Sequence, residues 1–263
     1  MKTLRYTLKD AHNWAEFSGD YNPIHFDLPW VQAHGGDKLS VHGMRALLDV
    51  KLFSSQQLSS VVPKEDQAIK CVIRIRHPLW NDVEYSLVAG NKLGSSAVLM
   101  ADGQKCVTCN LSLADQVEYC SAQSSTQISA IDLLNLQQIF TLYFPKLPLW
   151  VFLDAVIFQY LIETNAVLQQ DGLAALLPKN ASLKDIFAEY SVVQTHQELH
   201  FDPTFLQLGS LESQTQALNI HIQPAIITGD VDSGLLVCIQ AVAEYQHKYI
   251  TNSITLKISN THS

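Results

Sequence analysis

The run "LPLWVFLDAVIFQYLI", Leu147 to Ile162, constrains the chain more than any other stretch. It is apolar around the whole helical turn rather than along one stripe, and only Asp154 and Gln159 interrupt it. A helix of that kind has to be covered on every side. It is shorter than the roughly 20 residues a membrane span needs, so the sequence predicts a helix buried in protein. Asp154 inside it needs a buried partner, because a lone charge in apolar surroundings is strongly unfavourable. The sequence does not name that partner.

The flanking segments offer a cover. "YSVVQTHQELHFDPTFLQLGS", "TQALNIHIQP", "LLVCIQAVAEYQ" and "YITNSITLKIS" read as strands, and "TQISAIDLLNLQQIFTLYF" reads as a strand start followed by a helix. The first half has the same order of elements. "LRYTL" alternates, and "KDAHNWAEFSG" is a helix candidate that stops at Gly19. Pro29 opens a short helix, and "GMRALLDVKLFSSQQL" carries Met44, Leu47, Leu48 and Leu52 at helical spacing. After Pro63 the period changes. "AIKCVIRIRH", "DVEYSLVAG", "SSAVLMADG" and "KCVTCNLSLAD" predict a four-strand antiparallel meander. The expected organisation is a first domain over 1–117, a Ser/Gln-rich linker over 118–127 and a second domain over 128–263. The fold class is α+β, a double hot-dog: two curved antiparallel sheets, each wrapped around a long central helix.

Charge narrows the function classes. The net charge of -8 argues against a nucleic-acid surface, which needs a basic face. It gives no support for docking on an anionic membrane. "MKTLRYTLKDAHNW" has no apolar core of a secretory signal. Five cysteines do not suggest a disulfide framework, so a reducing cytoplasm is the expected location.

The chemistry concentrates in "FSGDYNPIHFD", Phe17 to Asp27. Pro23 fixes its own φ and pushes Asn22 out of the helical region. The result is a stiff turn that can aim Asp20 and His25 at one point. A carboxylate and an imidazole around one water form a general acid/base unit. Asn22 can hold the turn or a substrate carbonyl. Further on, "SVHGM" places Gly43 at the start of the long helix. There free N–H groups and the positive dipole end can stabilise a developing oxyanion.

Together "SGDYNPIHFD" and "SVHGM" resemble the signature of the MaoC-like (R)-specific enoyl-CoA hydratases and dehydratases. The strong resemblance covers roughly residues 14 to 58. It implies that Asp20 and His25 are the catalytic pair, activating one water for syn addition across the C2–C3 double bond of an enoyl thioester, or removing it in reverse. It implies that Asn22 supports the site and that the Gly43 amide polarises the thioester carbonyl. His42 and Arg45 complete the expected substrate-binding group. The acyl chain would run along the core helix and the pantetheine arm between the halves. The implied partner is an acyl-CoA or acyl-carrier-protein thioester of fatty acid metabolism. No metal and no redox cofactor are expected, and a homodimer is left open.

Arg45 departs from the family pattern, as does Lys51. Arg45 and Asp49, spaced i, i+4, can pair on the helix surface. Pointed into the acyl tunnel instead, Arg45 would select a short or carboxylate-bearing chain. Asp27 reads as a helix cap, and His42 as a group bonding the loop ahead of the helix. "CVTC", Cys106 to Cys109, lies in an alternating strand, where the two thiols are expected on opposite faces. His196 and His200 share one face of a regular strand, without a carboxylate in a stiff turn. The second half therefore reads as groove and support without chemistry. Two other readings stand beside the hydro-lyase: a hot-dog acyl-thioesterase, and a non-catalytic acyl-thioester-binding subunit favoured by Arg45 and Lys51.

Overall fold

A computed structural model describes residues 1–58, 63–64, 67–116, 124–168, 182–207, 216–229 and 234–259. The first half contains β1 (Lys2–Arg5), α1 (Leu8–Ser18), a 3-10 turn (Pro23–His25), α2 (Leu28–Ala33), α3 (Gly43–Gln57), β2 (Gln67–Ile75), β3 (Glu84–Ala89), β4 (Ser95–Leu99) and β5 (Lys105–Asp115). The second contains β6 (Ser124–Ile128), α4 (Ala130–Tyr143), α5 (Leu149–Glu163), α6 (Leu183–Glu189), β7 (Ser191–Phe201), a 3-10 turn (Pro203–Leu206), β8 (Leu218–Ile222), β9 (Ile226–Thr228), β10 (Leu235–Tyr245) and β11 (Lys248–Ser259).

All of the strands join one 11-stranded sheet in the order β1-β3-β4-β5-β2-β7-β11-β10-β8-β6, with β9 beside β10. Each half follows the same path, and the halves meet where β2 pairs antiparallel with β7. Joining them there leaves neither inner strand as an open edge. The long helices α3 and α5 touch each other and pack against the sheet, α3 on β4 and β5 and α5 on β11, as the repeated order of elements predicts. This is the double hot-dog architecture.

The structure corrects three local expectations. The strands of the first half are not a simple meander, because β2 lies beside β5 rather than β3. The segment after β2 does turn at Asn81 and Asp82, where Asp82 takes φ 62°, but it does not lay β3 beside β2. It is tied instead to the loop ahead of α3, where Val41 N–H donates to Leu79 O (2.7 Å) and Asn81 N–H to Leu39 O (3.0 Å). The chain thus crosses to the far side of the sheet before β3 begins. The expected linker over 118–127 is also shortened. Its residues 118–123 lie outside the described residues, but from Ser124 the chain forms β6, paired with β8. Finally, Cys106 and Cys109 are both buried rather than on opposite faces. A register shift against β4, between Val98 and Leu99, breaks the alternation of β5 just there.

Helix α5 is buried from Trp150 to Phe158, as its all-round apolar character requires. Trp150 stacks on Phe201 with ring centroids 4.5 Å apart. The partner Asp154 needs is Lys51 of α3. The two side chains are fully buried and ion-paired, and they join the two central helices. Gln197 and Asn252 donate to the other carboxylate oxygen at 2.9 and 2.7 Å. Among the described residues, no helix is long and apolar enough to cross a membrane. Cys71, Cys106, Cys109 and Cys238 are free thiols, and Cys120 lies outside the described residues.

Candidate active site

Helix α1 ends as its sequence predicts. Gly19 takes the left-handed conformation (φ 75°) and donates its N–H to Ala15 O at 2.8 Å. That reversal needs a residue without a Cβ penalty. It turns the chain so that Asp20 enters the interior. Asp20 Oδ1 accepts from Asn22 N–H (3.3 Å), and Asn22 Oδ1 accepts from Ile24 N–H (3.2 Å). Pro23 then opens the 3-10 turn that carries His25. Each side-chain acceptor caps the next piece of backbone, so the turn is rigid. Asp27 caps α2 through Trp30 N–H (2.9 Å), the role its position suggests.

The two histidines are held differently. His25 Nδ1 lies 2.8 Å from Ser40 O. A carbonyl only accepts, so Nδ1 carries the proton and the neutral ring keeps Nε2 as its acceptor. His42 donates Nε2–H to the backbone carbonyl of Asp20 at 3.0 Å. Its Nδ1 is buried without a partner among the described residues. The rings stack face to face, with centroids 3.6 Å apart and planes inclined by 28°. A carboxylate oxygen of Asp20 and a nitrogen of each ring lie within 4.8 Å of one another. The stack is a poor metal cradle. Imidazole lone pairs lie in the ring planes, and two nearly parallel rings cannot aim them at one ion about 2.0 Å from each nitrogen.

Burial sets the electrostatics. Asp20 is 7% exposed and His25 6%. Desolvation raises the Asp20 carboxyl above its usual value, while the His25 charge and the Asn22 amide pull it down. Desolvation lowers the His25 imidazole, and the Asp20 charge pulls it back up. His42 is pushed well below the usual imidazole range by burial, with the His25 charge adding to it. Near neutral pH the site therefore presents two neutral rings beside the Asp20 carboxyl, whose affinity for a proton burial has increased.

These groups open on a cavity of about 530 Å³ between the halves. Asp20, Asn22, His25 and Gly43 line one side, and the apolar depth is made by Met44, Ile75, Leu79, Val107, Phe158 and Leu256. Trp30, His34 and Lys38 also contribute to its wall. Gly43 is the first residue of α3, and its N-cap His42 makes no side-chain cap there. The start of α3 thus brings free amide donors to the cavity wall. A Cβ on Gly43 would meet Gln194 Oε1 at 3.2 Å and Ile75 Cδ1 at 3.5 Å.

Arg45 does not line this cavity, contrary to its expected place among the substrate-binding residues. It reaches the opposite side of α3, where it donates to Asp49 and Asp10, each at 2.8 Å. It lies over the rings of Tyr6 and Phe144. The i, i+4 pairing with Asp49 prevails because Asp10 adds a second carboxylate beside it, and the two hold both terminal NH2 groups of the guanidinium. Lys51 is likewise committed to Asp154. His42 supports the site from behind rather than lining the cavity. His196 and His200 lie on the sheet near Glu198, away from the cavity.

The sequence reading expected the second half to supply part of the groove but named none of the residues that do so. Helix α6 brings Phe187 to the cavity, and Tyr190, Val192 and Gln194 follow it. The capping box in which Ser182 and Asp185 start α6 was a legible signal. For Gln194 there was none, because a lone glutamine in a strand has no pattern.

No family model matches the chain, and no curated protein matches it. Solved structures do. A MaoC-like dehydratase is 11% identical over 98% of this chain and 95% of its own, with a TM-score of 0.45. An oleoyl thioesterase candidate from Lactobacillus plantarum is 9% identical over 98% and 95%, also with a TM-score of 0.45. An R-hydratase from Pseudomonas aeruginosa, in its unliganded form, is 18% identical over 47% of this chain and 88% of its own, with a TM-score of 0.30. These are distant likenesses of backbone path, and the functional reading rests on the site itself.

Proposed function

We propose that the cavity hydrates the C2–C3 double bond of an (R)-specific enoyl thioester, or dehydrates the 3-hydroxyacyl thioester in reverse. One observation carries this reading: Asp20 and His25 sit within 4.8 Å without bonding each other, beside the start of α3 and above an apolar cavity. A water hydrogen-bonded to both groups fits that gap, since each bond is about 2.8 Å. His25 Nε2 takes a proton from the water as its oxygen adds to C3. The pair returns one proton to C2 on the same face, so the dyad ends as it began. The Gly43 amide faces the thioester oxygen, where negative charge develops. No metal or redox cofactor enters this scheme, and CoA or a carrier-protein pantetheine belongs to the substrate.

The non-catalytic alternative leaned on Arg45 and Lys51, and both are engaged elsewhere. The test is turnover of crotonyl-CoA and longer enoyl thioesters by the wild type, Asp20→Asn and His25→Ala. Loss of enoyl absorbance in the wild type, abolished in both variants with circular dichroism unchanged, is the expected result. Release of free thiol with the double bond intact would instead identify a thioesterase. Wild-type rates in both variants would sink the assignment.

A further inference from the structure

We infer that Gln194, carried by the second half, is a catalytic residue of this cleft: its carboxamide is the second donor to the thioester carbonyl oxygen, beside the Gly43 amide. The inference rests on the thioester reading above, and it extends it from one half of the chain to both.

The placement comes from the sheet. Strand β7 pairs with β2 from Phe201 to His196, and β2 has no further partner for it beyond Arg74. Residues 192–194 therefore run past the joint between the halves, with β11 on one side only. At this point Gln194 lines the cavity and packs against the first residue of α3. Its Oε1 lies 3.2 Å from where a Cβ of residue 43 would stand, so glycine at 43 and glutamine at 194 are sterically matched. The Nε2 group is weakly engaged. Its hydrogen-bond contact among the described residues is Met44 Sδ, at 3.9 Å. A thioether is a poor acceptor. Exchanging it for a carbonyl oxygen that gains charge strengthens the bond in the transition state, which is what accelerates a reaction.

A donor of this kind acts on kcat. Removing one oxyanion donor costs about 100-fold to 1,000-fold in rate. Gln194→Met keeps length and bulk without a donor, and Gln194→Glu is isosteric but presents only acceptors. Both are measured on the enoyl thioester the wild type turns over best, following enoyl absorbance and thiol release, with circular dichroism as the folding check. The expected result is a fall in kcat of about 100-fold or more with KM changed no more than a few-fold, Glu being at least as damaging as Met. Should the Met variant not fold, the isosteric Glu variant decides alone. Unchanged kcat, or a rise in KM alone, overturns the role of Gln194 while leaving the hydratase reading intact. A wild type that turns over no acyl thioester by either readout overturns both.

Discussion

The ion pair between Lys51 and Asp154 sets a sharp test, because its energetics follow from burial. Both side chains are fully buried. Burial raises the Asp154 carboxyl above its usual value, and Lys51 is the first of the groups holding it down. Lys51→Met keeps most of the volume and removes that opposing charge. Asp154 then has two options. It can stay ionised and unpaired, which costs about 3–5 kcal/mol for a broken buried pair. Or it can take up a proton, which at pH 7 costs about 4 kcal/mol for a carboxyl whose unfolded value is about 3.9. The smaller cost prevails, so the loss is capped at about 4 kcal/mol. Its sign with pH follows. The folded carboxyl of the variant titrates above the unfolded one, so the penalty grows as pH rises above the unfolded value. At pH 5 the same proton costs only about 1–2 kcal/mol. Lys51→Met/Asp154→Asn should recover most of the loss, because an amide keeps an oxygen for Gln197 and Asn252 without a charge. Urea unfolding at pH 5 and pH 7, followed by tryptophan fluorescence, reads all of these quantities. Equal losses at both pH values, or a double variant as unstable as the sum of the single ones, would refute the reasoning.

Two further outcomes follow from the site. Because burial lowers the His25 imidazole, kcat/KM should be flat through neutral pH and fall only below the usual value of about 6.5. The Asp20 charge opposes that shift, so the His25 imidazole of Asp20→Asn, followed by NMR titration, should protonate at still lower pH; a titration that moves upward contradicts the assignment. Arg45→Met should leave kcat and KM unchanged across acyl chain lengths and carboxylated chains, while costing about 2 kcal/mol through its bonds to Asp10 and Asp49. A selective gain or loss on carboxylated substrates would return Arg45 to the cleft.

Much of the site was legible locally. The turn from Gly19 to Asp27 is built from residues that cap their own neighbours: Asn22 on Ile24, Asp27 on Trp30, Gly19 on Ala15. Such short-range bonds are written in the order of residues, so the shape of the turn could be read there. The start of α3 at Gly43 and the burial of α5 were legible too, one from the "SVHGM" stretch and the other from an apolar surface on every face.

What the sequence could not decide involved residues far apart in the chain. Arg45 could pair with Asp49 or enter the tunnel, and only the arrival of Asp10, Tyr6 and Phe144 around it settled the direction. Asp154 announced that it needed a partner, but nothing local says that the partner is Lys51, 103 residues away. Gln194 reaches Gly43 only because β7 runs past the end of its pairing with β2. Sequence determines which groups must be satisfied, since burial and backbone bonding act on each residue where it stands. Tertiary structure determines which distant group satisfies them, since that depends on how two halves of the chain meet.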